Sequence, residues 1–171
     1  MLQRPDADEV SSYLTNYTSL VPDGDVRDHL RRQQHETIVL LSGVDEARAA
    51  RGYAPGKWTL KESLLHVIDT ERVFAHRLLR IARGDATPLP AFDQDAWVPN
   101  SAAAGRSVAS LLLEYAAVRA ATVQLVESLE PAAWGRRGTA SGVTISARAL
   151  AYVITGHELH HHRIFRERYL A

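Results

Sequence analysis

Eight histidines and no cysteine set the range of chemistry open to this chain. Four of the histidines fall in one short run, Gly156-His157-Glu158-Leu159-His160-His161-His162-Arg163. Placed on a helix at about 100° per residue, His157 and His161 sit about 20° either side of the centre of an apolar stripe through Leu150, Val153, Ile154 and Ile164. Residues at i and i+4 stack on one helix face, so the two imidazoles can converge on one ion. Neutral imidazole suits Zn²⁺, Ni²⁺, Cu²⁺ and Fe²⁺. His160 is expected at the stripe's edge and His162 toward solvent. Glu158 projects about 100° from His157 and is expected to be solvated.

The run also spells H-E-x-x-H, the helix motif of zinc metalloproteases, with Glu158 in the place of the general base. The extended form of that motif needs Gly at 164 and His at 167, where this chain has Ile164 and Glu167. A protease reading is therefore set aside. Few residues follow His161, so a third ligand is expected from upstream, among His29, His35, His66 and His76. On its own helix, His66 lies well away from the Leu64/Ile68 stripe, beside Asp69, Thr70 and Val73. It can serve only if that helix meets the bundle on two faces or borders an open pocket.

These residues need rigid elements, and the periodicity is helical almost throughout. A short amphipathic segment covers about 8–17. Asp25 caps a helix to about Leu41. Thr59 and Glu62 form a capping box for a helix to about Arg83, which Gly84 stops. Ser107 caps a third long helix with Leu111, Tyr115, Val118, Thr122 and Leu125 on its stripe, and Ser146 caps a last one running nearly to Ala171. The long connection 84–105 holds three of seven prolines and reads as irregular and functional. The Gly/Ser/Thr-rich 135–144 reads as loop, and no segment alternates convincingly as a strand. The fold expected is all-α: one four-helix bundle domain over 1–171, with a short extra N-terminal helix.

Composition narrows the function. Lys and Arg balance Asp and Glu at 20 each, which argues against a nucleic-acid or anionic-membrane binder. The arginines at 77, 80, 83, 163, 166 and 168 read as residues offsetting helix dipoles, and Trp58, Trp97 and Trp134 as packing. The absence of Cys excludes disulfides, thiolate metal sites and a thiol nucleophile. With 46% hydrophobic residues the chain is too apolar to be disordered. The first eight residues do not read as a signal peptide and the apolar runs look too short to span a bilayer, so a cytoplasmic location is expected.

Three blocks carry a family resemblance: Tyr53-Ala-Pro-Gly-Lys-Trp58-Thr59-Leu-Lys-Glu-Ser-Leu-Leu-His66, Pro90-Ala-Phe-Asp93-Gln-Asp95-Ala-Trp97, and Gly156-His157-Glu158-Leu-His-His161. In this order they resemble the DinB-like superfamily, of the YfiT-like metal-dependent type, over nearly the whole chain. The resemblance implies an up-down-down-up bundle and often a homodimer. It implies a divalent ion, commonly nickel or zinc, held by His66, His157 and His161. Related families use low-molecular-weight thiols such as bacillithiol or mycothiol, so a thiol S-transferase acting on a small molecule is the leading expectation. A metal-dependent hydrolase and a non-catalytic metal-binding stress protein are the alternatives. Asp69 and Glu158 are the candidates for proton transfer or for orienting an imidazole. Glu71 faces inward and is expected to pair with an arginine.

Overall fold

The computed structural model describes residues 3–171. Met1 and Leu2 of the amino-terminal stretch lie outside the described residues. The helices in chain order are α1 (Ser12–Thr18), α2 (Val26–Leu41), α3 (Glu46–Ala49), α4 (Leu60–Ala82), α5 (Gln94–Trp97), α6 (Val108–Glu127) and α7 (Ala147–Ile164). A π-helical turn, Phe165–Tyr169, continues α7. The four long helices start where the sequence says they should. Asp25, Thr59, Ser107 and Ser146 each accept a bond from a backbone N–H of the first turn, and Thr59 and Glu62 complete both halves of the capping box. Gly84 ends α4 with φ of +80°.

Side-chain pairings give the helix directions. Ser63 and His66 of α4 meet His161 and His157 of α7 respectively, so these two helices are antiparallel. Gln33 and Thr37 of α2 reach Thr155 and Glu158 of α7, a parallel pair. Lys61, bridged by Glu46 to Val108, and Glu71, bonded to Arg119, run α4 parallel to α6. Taking α2 as up, the order α2-α4-α6-α7 is up-down-down-up. The long 84–105 connection makes this possible, because a parallel neighbour needs a full-length return.

A buried polar layer divides the core. One apolar cluster holds Leu30, Leu78, Val126 and Leu150; the other holds Leu41, Leu64, Leu111 and Phe165. Between them Arg119, fully buried, donates to both carboxylate oxygens of Glu71 (2.9 and 2.8 Å), to Glu158, and to the Leu30 carbonyl (3.2 Å). Tyr115 and Thr37 donate to the Glu158 Oε1, each at 2.5 Å. Burying Glu158 would raise its carboxyl pKa, yet Arg119 above all, with His162 and the two hydroxyls, holds it below the ordinary value. The expected inward pairing of Glu71 with an arginine is present.

Three expectations are corrected. Glu158 is not solvated: it is 1% exposed and belongs to this layer. His162 does not face solvent: it is 2% exposed and its Nε2 meets the Thr37 hydroxyl. Both errors share one cause, since α7 is packed by α1, α2 and α4 and has buried residues nearly all round. The third concerns 135–144, which forms part of a hairpin, β1 (Arg137–Ala140) and β2 (Val143–Ser146), antiparallel, with Ala140 opposite Val143. Its two-residue turn, Ser141-Gly142, has positive φ at both positions, the form that matches strand twist. Such short strands with a glycine inside leave almost no alternation to read. The hairpin also grips the long connection: Leu89 N–H donates to the Thr139 carbonyl and Ser141 N–H to the Leu89 carbonyl.

By length and composition α6 is apolar enough to cross a membrane, contrary to the reading of the runs as too short. Here it lies in the bundle, carrying Arg119 and Tyr115 into the core.

Candidate metal centre

His66, on α4, faces His157 and His161, one turn apart on α7. One nitrogen from each imidazole can be chosen so that all three lie within 4.8 Å of one another. The Nε2 atoms of His66 and His157 are 3.2 Å apart. Two imidazoles on a tetrahedral ion, with Zn–N of about 2.0–2.1 Å, would have nitrogens about 3.3 Å apart. The donor set therefore suits a divalent ion both in chemistry and in spacing. The doubt that His66 lies off its helix's main stripe is resolved by α4 being buried on more than one face: Leu64, Ile68, Leu65 and Val67 are all buried.

Two of the remaining ring nitrogens have oxygen neighbours. Thr70 Oγ1 lies 3.3 Å from Nδ1 of His66, and Ser63 Oγ lies 3.3 Å from Nδ1 of His161. A hydroxyl at Nδ1 fixes the ring and directs Nε2 toward the shared centre. Both hydroxyls come from α4, at i−3 and i+4 from His66, a spacing that would have flagged them from sequence. Asp69 pairs with Arg72 at 3.0 Å and lines a small crevice together with His66.

Burial depresses the basicity of the three imidazoles. His66 is pushed down to about 4, chiefly by burial and further by His160. His157 and His161 lie well below their ordinary value for the same reason, with the other histidines adding to it. All three are neutral near pH 7 and carry lone pairs rather than charges.

Aromatic rings wall the centre. Trp58 lies 4.9 Å from His66, and Tyr17 packs edge-on to His157 and His160 at 5.2 and 5.7 Å, ring centre to ring centre. Tyr17 comes this close because residue 156 is glycine. A Cβ there would collide with the Tyr17 carbonyl oxygen. Gly156 thus lets α1 lie against α7 next to the first ligand. The short N-terminal helix is part of the site, a role the sequence reading did not assign it.

Two cavities meet at the histidines, each of about 340 Å³. The first, mainly apolar, is lined by Leu14, Phe74, Phe92 and Ile145 and touches His66 and His157. The second carries Tyr53, Lys57, Asp95 and His160 and touches His66 and His161. Tyr17 and Gln94 border both. The 84–105 connection supplies Phe92, Gln94 and Asp95 to these walls, as expected of a functional loop. His29 is buried with its Nε2 3.1 Å from the Pro22 carbonyl, and His35 and His76 are exposed. None of the three joins the cluster.

The DinB superfamily pattern matches residues 29–165, from within the first turn of α2 through α4 and α6 to the end of α7. The chain belongs to the DinB superfamily. Its fold is similar to that of YfiT from Bacillus subtilis, with a TM-score of 0.73 over 96% of this chain and 90% of that one, at 13% identity. That protein is described as a probable metal-dependent hydrolase with an unusual four-helix bundle topology. Among curated proteins, none matches this DinB chain in sequence.

Proposed function

We propose that this DinB protein is a metal-dependent enzyme acting on a small molecule, with His66, His157 and His161 as the ligands of one divalent ion, nickel or zinc. The reaction that best fits the site is thiol S-transfer. The observation that carries this reading is the pair of unlike cavities meeting at one histidine triad. A low-molecular-weight thiol such as bacillithiol or mycothiol is polar and suits the side with Tyr53, Lys57, Asp95 and His160. An electrophile with an apolar body suits the side with Phe74 and Phe92. The chain has no cysteine, so the sulfur must come from such a partner.

A bound ion would supply Lewis acidity, lowering the pKa of a thiol or water and polarising an electrophile. The protein's own residues supply the rest. Ser63 and Thr70 hold two imidazoles in place. Trp58, Tyr17 and Phe74 pack against the imidazoles and restrict their motion. Glu158 takes no part in proton transfer, because its carboxylate is committed to Arg119, Tyr115 and Thr37.

Metal-assisted hydrolysis is the second reading, favoured by the description of the structurally similar YfiT. One assay separates them. Metal-loaded protein is incubated with monochlorobimane or an activated ester, with and without a panel of bacterial thiols. Thiol-dependent conjugation supports the transferase and thiol-independent ester turnover supports the hydrolase. Inactivity across the panel favours a non-catalytic metal-binding protein.

A further inference from the structure

Among the described residues Arg119, Arg77 and Arg148 are the least exposed arginines, and two of them have acid partners. Arg119 pairs with Glu71 and Glu158, and Arg148 pairs with Glu9. Arg77 is different. It is 5% exposed, and among the described residues no carboxylate forms an ion pair with it. Its Nη2 donates to the Pro90 carbonyl at 2.7 Å and to the Ser141 hydroxyl at 2.9 Å, both neutral oxygens. Its guanidinium carbon lies 5.8 Å from the centre of the Phe74 ring and 5.4 Å from that of Phe92. Burial alone lowers its pKa, with no opposing acid. A charge desolvated without a counter-charge is costly to the fold.

The position of this charge connects it to the histidines. Arg77 is eleven residues after His66, close to three full turns, so both lie on one face of α4 about 16 Å apart along the axis. Thr70 and Phe74 lie between them, and all four line the apolar cavity. The guanidinium is held by three separate segments: α4, the long connection and the hairpin turn. It is therefore a fixed cation at one end of an apolar cavity whose other end reaches the triad.

We propose that Arg77 anchors a carboxylate of the substrate, so that the apolar cavity takes an extended amphipathic acid whose other end reaches the histidines. The inference rests on the reading of the cavity as a substrate site, though not on which reaction occurs there. A single guanidinium with apolar surroundings matches a monoanionic carboxylate better than a phosphate dianion, which would call for several donors.

The test is calorimetric titration with 4-phenylbutanoate and its neutral isostere 4-phenylbutanamide. The acid should bind wild-type protein about tenfold or more tightly than the amide, as expected for a charge-assisted bond. Arg77→Gln should remove the preference, and Arg77→Lys should keep part of it. Equal affinities for acid and amide, an unchanged preference in Arg77→Gln, or no binding of the acid would overturn the proposal. Should Arg77→Gln fail to fold, the acid–amide comparison on wild-type protein and on metal-free His161→Ala protein decides. The titrations are repeated on His161→Ala protein with its metal content measured. A preference that persists there assigns it to Arg77, and one that vanishes with the metal assigns it to the ion and overturns the proposal. Absence of metal from wild-type protein would sink the metal reading alone.

Discussion

The Nε2 atoms of His66 and His157 face each other at 3.2 Å across the antiparallel pair α4 and α7. Two neutral imidazoles at this distance can share one ring's N–H or direct both lone pairs at a cation. Burial disfavours a second proton on either ring, so both are neutral, the form in which imidazole ligates a metal.

The tryptophan beside His66 gives an optical handle on this arrangement. Trp58 is 4.9 Å from the His66 ring, ring centre to ring centre. Titrating metal-free protein with Ni²⁺ or Cu²⁺ should quench part of the tryptophan fluorescence, saturating at one equivalent. Trp58→Phe should lose most of that quench while keeping the metal stoichiometry. Quenching undiminished in Trp58→Phe would place the ion elsewhere.

Glu158 sits in the motif position of a metalloprotease base, but it is a structural group here. Arg119→Met should strand two buried carboxylates and cost about 3–5 kcal/mol in urea unfolding. Glu158→Gln should also destabilise the fold, yet the folded variant should bind metal with unchanged stoichiometry. Loss of metal from a folded Glu158→Gln variant would contradict this assignment.

Much of this molecule was legible in its sequence, and the failures have a physical pattern. The four N-caps are local chemistry between a side chain and the next turn, so Asp25, Thr59, Ser107 and Ser146 could be read directly. The i, i+4 pair His157/His161 is equally local. His66 could not be chosen by helix angles, because its partner face depends on how α4 packs; the family resemblance named it. Glu158 and His162 were misread as outward because a helix angle assigns one inward face, while α7 is enclosed on several sides. Arg77 was read as a residue at a helix end, since nothing local reveals that Pro90, Phe92 and Ser141 fold over it.

Gly156 tests the packing of α1 against the site. Gly156→Ala should force the Tyr17 backbone away from α7 and cost about 1–3 kcal/mol, as over-packing generally does. Metal affinity should fall by less than for a lost ligand, because Tyr17 walls the centre and does not ligate. Thermal unfolding together with metal titration reads both effects. Wild-type stability in Gly156→Ala would show that α1 does not dock as described.

Acid stability follows from the depressed carboxylates. Asp25 is held at about 2 against an ordinary 3.8, mainly by Arg27. Glu9, in spite of burial, is lowered by Arg148 and Ser146, and Glu158 by Arg119. Each binds its proton more weakly folded than unfolded, so its stabilisation is complete above the ordinary carboxylate range and is lost as pH falls through it. Urea midpoints of metal-free protein should therefore begin to fall below pH about 6.5, where unfolding lets the buried histidines take up protons, and drop further between pH about 4.5 and 2 as the carboxylates do the same. A midpoint that stays flat over that interval would contradict these pairings.

The most direct test of the central claim is the metal content of untagged protein, measured by inductively coupled plasma mass spectrometry. The three-histidine site predicts one nickel or zinc per chain in wild-type protein, and its loss in folded His66→Ala, His157→Ala and His161→Ala variants, with His160→Ala unchanged. Full occupancy in His66→Ala or His161→Ala would contradict the account.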